Sequence, residues 1–92
     1  MIHSFSCKET EDLFNSKSSR RFRSFERIAR RKLLQIHAAT NLLDLRIPPG
    51  SMLECLQGRR KDQHSIRING QWRICFVWKE DGAHKVEIVD YH

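Results

Sequence analysis

The sequence predicts a small α+β domain, an antiparallel-dominated twisted sheet packed by a short and a long N-terminal helix. Three observations carry that prediction. Large apolar residues fall at every second position along the chain at Trp72, Ile74, Phe76 and Trp78, the period of a strand with one buried face. Ile66 and Ile68 repeat the alternation upstream, Val86 and Ile88 repeat it downstream, and Asn69-Gly70 and Asp81-Gly82 mark turns between them, so His64–His92 reads as a three-stranded meander. Phe25, Ile28, Ala29, Leu33 and Ile36 recur at helical spacing, which predicts one long amphipathic helix from about Arg21 to Ala39.

The remaining elements follow in order. Met1–Phe5 suits an N-terminal edge strand. Ser6 followed by Glu9 reads as a capping box that opens a helix of about two turns ending near Asn15, with Leu13 and Phe14 as its buried contacts. Ser16–Ser19 is a polar loop. Asn41–Leu45 adds a short helical turn, with Leu42, Leu43 and Leu45 covering one edge of the sheet. Pro48-Pro49-Gly50 stops helix, and Met52–Leu56 is the next strand. Gly58-Arg59-Arg60-Lys61-Asp62 forms a basic loop into the meander. No internal repeat or linker interrupts the 92 residues, so residues 1–92 are expected to form one domain.

Register decides what stands on the second face of the meander. A two-residue Asn69-Gly70 loop would set Ile66 against Arg73 and put charge into the core face. A slip of one residue turns every side chain over, so burial selects a three-residue loop that sets Arg67 against Arg73 and Ile66 against Ile74. The same parity argument excludes a two-residue Asp81-Gly82 loop and leaves one of three or five residues, with Arg73 directly or diagonally across from Tyr91. Opposed arginines repel, so an anion or a carboxylate is expected beside them.

The charge is +6 and the pI near 9.7, which favours an acidic partner such as nucleic acid, the ribosome, an acidic protein or a membrane surface. No apolar run approaches a membrane span and no signal peptide opens the chain. The three cysteines, Cys7, Cys55 and Cys75, have no CxxC spacing, which argues against a disulfide framework or a zinc site and fits a reducing cytosol.

Eight Lys or Arg residues and one acid, Glu26, lie between Lys17 and Lys32. A merely solubilising helix face mixes signs to gain Glu–Lys pairs, so Arg23, Arg27, Arg30 and Arg31 are candidates for gripping a phosphate backbone or an acidic segment. Arg59, Arg60 and Lys61 stand at the mouth of the Arg67/Arg73 face. Trp72, Phe76 and Trp78 belong to the core rather than to base stacking. His3, His37 and His84 have no ligand spacing and read as surface or packing histidines. Asp90-Tyr91-His92 differs from an ordinary fraying end, because it continues the apolar strand Val86-Glu87-Ile88-Val89 without a break. Negative charge from Asp90 and the α-carboxylate favours the imidazolium form of His92, a usable general acid near neutral pH.

Met1-Ile2 and Ser4-Phe5 at the start, the Pro48-Pro49-Gly50 turn, Leu56-Gln57-Gly58 before a basic loop, His64-Ser65-Ile66-Arg67, Gln71-Trp72-Arg73, Cys75-Phe76, Trp78 and the closing Val86–His92 segment resemble the HigB-type toxins of bacterial toxin–antitoxin pairs, nearest the HigB/GraT-like subgroup. The resemblance covers essentially the whole chain. Gln71-Trp72-Arg73 and Asp90-Tyr91-His92 are its most specific pieces. It implies a RelE-like α+β fold and a cytoplasmic mRNA endoribonuclease acting in the ribosomal A site, without metal or cofactor, by attack of the ribose 2′-oxygen to give a 2′,3′-cyclic phosphate. It also implies inhibition by a helix-turn-helix antitoxin, with operator DNA contacted only through the complex.

In such a reaction Arg73 neutralises the phosphorane oxygens, Tyr91 and His92 move the protons, and Asp90 orients or tunes them. Charge and sheet geometry assign Arg67, Arg59, Arg60 and Lys61 to flanking phosphates or rRNA. Where relatives commonly carry basic or histidine side chains, this chain has Glu54 and Gln57, which implies a slower nuclease. The competing expectation is a module that docks on the ribosome through its basic helix and inhibits without cutting.

Overall fold

The computed structural model describes residues 1–46 and 51–91; the Pro48-Pro49-Gly50 turn and His92 lie outside the described residues. The predicted meander forms from β2 (His64–Arg67), β3 (Trp72–Lys79) and β4 (Gly82–Asp90), and β1 (Glu54–Cys55) pairs with the outer side of β2 in an antiparallel sheet of order β1-β2-β3-β4. Ile2 and Phe5 bridge in parallel to Ala83 and Val86, so the N-terminal segment runs along the far edge of β4 through two isolated bridges and not as the regular edge strand expected of Met1–Phe5. The predicted strand Met52–Leu56 is shorter, two residues paired as Glu54 with Ser65 and Cys55 with His64. Met52 ahead of it takes a left-handed φ of 47°, which no strand continues through.

Alternation along β3 places Ile74 and Phe76 in a core with Leu13, Phe22, Leu33, Ile36, Ile66, Val86 and Ile88, and Trp72 and Trp78 pack against it. Two helices, α1 (Lys8–Phe14) and α2 (Glu26–Ala38), touch each other and β4 and close this face. The long helix starts later than Arg21. Arg23–Phe25 is a turn of 3-10 helix, whose i and i+3 side chains eclipse. Phe22 and Phe25 thereby both reach Trp72, with ring centroids 5.7 and 5.2 Å away. The buried stripe of α2 is Ala29, Lys32, Leu33 and Ile36, so Ile28, expected inside, lies one step off it and is 38% exposed. Lys32 takes the buried position because its Nζ donates to the buried Ser51 Oγ at 2.8 Å; burial lowers its pKa from the ordinary lysine value.

The capping box does not form. Helix α1 begins after Cys7 without a side-chain cap, and the Glu9 carboxylate instead accepts from Ser19 Oγ at 2.9 Å and pairs with Arg21 at 3.5 Å. It joins α1 to the loop that follows. The helical turn predicted at Asn41–Leu45 is a 3-10 helix, Leu42–Arg46. Leu45 is buried there, but Leu43 is 63% exposed, because a five-residue turn presents only one side to the sheet.

The first turn has the predicted register, Arg67 opposite Arg73 and Ile66 opposite Ile74. The second does not have the predicted loop. Lys79 pairs with Gly82, leaving the two-residue loop Glu80-Asp81. Parity is restored farther along β4: Val77 pairs with His84 but Cys75 with Glu87, so Lys85 and Val86 together oppose Phe76. Lys85 carries the positive φ of that bulge, 54°, and the extra residue brings Ile88 opposite Ile74 and Val89 opposite Arg73.

Gly82 is required by its neighbours. Its φ is +128°, and a Cβ there would collide with the backbone of Met1, whose carbonyl accepts from Ala83 N–H. Gly82→Ala should therefore destabilise the fold by about 2–3 kcal/mol, lowering Tm by roughly 10 °C or more in a thermal melt. At the other end of the helical layer, Asp44 accepts from the backbone N–H of Asn41 and of Thr40 and from the Thr40 hydroxyl, and in that order these hold its carboxyl below the ordinary value. A depressed folded pKa means stability present above the unfolded value of about 3.9 and lost as pH falls through the folded one. Asp44→Ala should be less stable than the native chain at neutral pH, with the gap in denaturant midpoint closing below about pH 4.

Candidate functional site

The second face of the sheet is built from the residues that β2, β3 and β4 turn away from the helices. Arg73 leads it and is only 6% exposed. Its Nε donates to Ser65 Oγ at 2.7 Å, diagonally across the β2–β3 ladder, and its Nη2 donates to the Met52 carbonyl at 2.6 Å and to the Ser65 carbonyl at 3.4 Å. Three acceptors fix the plane of the guanidinium. The carboxylate expected beside the opposed arginines is Glu54, its Oε1 3.7 Å from Arg73 Nη2. Arg67, across from Arg73, donates from Nε to the Asn69 carbonyl at 3.1 Å, which turns it along the hairpin instead of into its neighbour.

Tyr91 follows the last residue of β4. Its backbone N–H donates to the Gln71 carbonyl, which carries the ladder one step past the strand. Its ring lies under Arg73, 5.6 Å from Cζ to the ring centroid, and the side chain is 47% exposed. Met52, Arg67, Asn69, Gly70, Arg73 and Tyr91 line one open cavity of ≈ 440 Å³. A planar cation beside an exposed phenol, with a second guanidinium in the same cavity, suits a phosphodiester: the cation stabilises anionic oxygens and the phenol can hold or pass a proton.

The other candidates are placed unequally. Asp90 pairs across from Trp72, and its carboxylate accepts from Gln71 Nε2 at 3.1 Å, so it anchors the strand end; it also borders a neighbouring cavity with Arg60, Val89 and Tyr91. Arg60 is held by Gln63 and Glu87 at 3.0 and 3.4 Å on the Arg73 face, while Arg59 and Lys61 are exposed. The basic helix lies elsewhere, for α2 packs on the opposite face of the sheet. Arg23, Arg27 and Arg31 line a separate cavity there. Arg30 instead donates from Nε to the Leu13 carbonyl at 3.0 Å and ties α2 to the end of α1. His92 is not among the described residues.

Three groups escaped the sequence reading. Ser65 and the Met52 carbonyl orient Arg73; only a small polar residue on the same sheet face hinted at the first, and nothing marks a backbone acceptor. His37 packs as expected, its ring 5.2 Å from Phe14. His3 and His84, however, stack at 4.9 Å beside Asp81, and these three could hold a metal ion. The cysteines are all free, and burial pushes the Cys75 thiol up.

Comparison with known proteins agrees with this architecture. Toxin HigB-1 of Vibrio cholerae serotype O1 is 44% identical over 69 residues, 75% of this chain and 72% of that protein. An uncharacterized protein of Haemophilus influenzae is 36% identical over 60 residues, 65% of this chain; the match spans 59% of the relative's length. Residues 3–92 match the HigB-like toxin family, described as the RelE-like toxin of type II toxin-antitoxin system HigB. The chain belongs to this family of RelE-like toxins.

Proposed function

We propose that the chain is the toxin of a type II pair and a ribosome-dependent mRNA endoribonuclease of the cytoplasm. The observation that carries the reading is the fixed Arg73 guanidinium over the Tyr91 ring in an open cavity shared with Arg67. A scissile phosphate in that cavity meets Arg73, which stabilises the phosphorane as charge builds. The 2′-oxygen forms its bond to phosphorus and gives its proton to a base; the bond from phosphorus to the 5′-oxygen breaks, and an acid protonates that oxygen. The products are a 2′,3′-cyclic phosphate and a 5′-hydroxyl end. His92 is the proposed acid, Tyr91 the base or positioner, and Asp90, held by Gln71, keeps the strand end in place. Arg67 in the cavity, Arg60 in the neighbouring one and the exposed Arg59 and Lys61 are the proposed contacts to neighbouring phosphates or rRNA. The partners are the 70S ribosome with its mRNA and a helix-turn-helix antitoxin, through which the complex meets operator DNA.

A second reading rests on the exposed Arg23, Arg27 and Arg31 on the helix side, far from the Arg73 cavity: docking on the ribosome and inhibition by occlusion. The two readings separate on variants. Arg73→Ala and Tyr91→Phe should bind ribosomes as the native chain does while cutting programmed mRNA about 10²–10³-fold more slowly. Tyr91→Phe guards against misfolding, since its ring stays. Growth inhibition undiminished in both would establish occlusion instead.

Glu54 draws part of the Arg73 charge to itself, which supports a slower nuclease. With Glu54 half exposed and 3.7 Å away the pair is worth little, so Glu54→Gln should speed cleavage on programmed ribosomes by roughly two- to fivefold. An unchanged rate would remove Glu54 from the explanation of rate.

A further inference from the structure

At the far end of β3–β4 from Arg73, about 20 Å along the strands at ~3.3 Å per residue, a second group of side chains converges. Among the described residues, His3, Asp81 and His84 are the trio of His, Cys, Asp and Glu side chains whose ligand atoms all lie within 4.8 Å of one another. Both rings turn Nε2 toward Asp81. His3 Nε2 lies 2.6 Å from the Asp81 carbonyl oxygen and 3.7 Å from Oδ2, and His84 Nε2 lies 2.7 Å from Oδ1. The rings stack at 4.9 Å and 19°, so a rotation of one exposed ring about its side-chain bonds brings both Nε2 lone pairs onto one ion beside the carboxylate.

The backbone holds this arrangement independently of the side chains. His3 N–H donates to the Ala83 carbonyl at 2.8 Å and Ala83 N–H to the Met1 carbonyl at 2.9 Å. The two-residue turn places Asp81 three residues before His84, and the bare Gly82 admits the Met1 backbone alongside. The hydrogen bond from His84 is the largest of the influences that hold the Asp81 carboxyl below its ordinary value, so the carboxylate is ionised at neutral pH.

We propose that His3, Asp81 and His84 form a site for one late first-row divalent cation, Zn²⁺ in the simplest case, which cross-links the N-terminal segment to the β3–β4 turn. Two imidazoles and a carboxylate are the ligand types such ions take. The Nε2–oxygen separations of 3.7 and 2.7 Å bracket the edge of about 3.3 Å in a tetrahedron with metal bonds of about 2.0–2.1 Å. The cation replaces the Nε2–H···O contacts with Nε2–metal–oxygen bonds, each neutral ring then carrying its one hydrogen on Nδ1. The exposure of His3 and Asp81 leaves at least one coordination position for water. Cys55 and His64 are partners across β1–β2 and are the competing explanation of any metal uptake.

The test is titration of the purified chain with Zn²⁺ and Co²⁺, with Asp81→Ala, His84→Ala and Cys55→Ser alongside. One equivalent of Zn²⁺ should bind and, at a hundred times its Kd, raise Tm by roughly 10 °C. Co²⁺ should give d–d bands without a thiolate charge-transfer band. Asp81→Ala and His84→Ala should each weaken binding by about tenfold or more, and Cys55→Ser should leave it intact. No binding, binding undisturbed by Asp81→Ala and His84→Ala, or binding lost in Cys55→Ser would overturn the proposal.

Discussion

Arg73, only 6% exposed, sets a permanent positive charge within the sheet, and much of the local structure answers that demand. An isolated buried charge costs several kcal/mol unless hydrogen bonds replace its water. Here the replacements come from two directions: Ser65, diagonally placed on β2, and the carbonyl of Met52, which follows a left-handed φ. Glu54 adds a carboxylate at the edge. The two-residue length of β1 fits this geometry, because the chain must bend at Met52 before it can pair. The result is a cation already oriented before any ligand arrives, which is what electrostatic stabilisation of a transition state asks of a protein.

Register delivers the phenol to that cation. With a two-residue loop at Glu80-Asp81 and no bulge, Ile88 would stand across from Arg73 and the apolar face of β4 would be turned out. Lys85 absorbs one residue and returns β4 to phase, so that burial of Val86 and Ile88 and the placement of Tyr91 beside Arg73 are a single event. Stability and site assembly are coupled through one bulge.

This explains what was legible in the sequence. The Arg67–Arg73 and Ile66–Ile74 pairings were readable because burial admits only one parity at the first turn. The second turn was misread because a bulge at a lysine carries no local signal, although the diagonal relation of Arg73 to Tyr91 survived, both routes restoring the same parity. The capping box failed since Glu9 had a better partner in Ser19, and the start of α2 moved because Phe22 and Phe25 both compete for Trp72. The His3–Asp81–His84 cluster spans 78 residues between His3 and Asp81, so no spacing rule reveals it. Family membership followed from short motifs, Gln71-Trp72-Arg73 foremost, whose middle residue packs the core while the third enters the cavity.

The molecule thus carries positive charge on two faces with different chemistry. Arg23, Arg27 and Arg31 project from the helix layer, suited to long-range attraction, whereas Arg73 is immobilised for contact at one point. The account depends on that immobilisation, and nitrogen-15 NMR of arginine side chains measures it directly. It predicts an Arg73 Nε–H resonance resolved from those of the exposed arginines, slow to exchange with solvent, and lost to the common envelope in Ser65→Ala. An Arg73 Nε–H that exchanges as fast as the surface arginines, with or without Ser65, would contradict it.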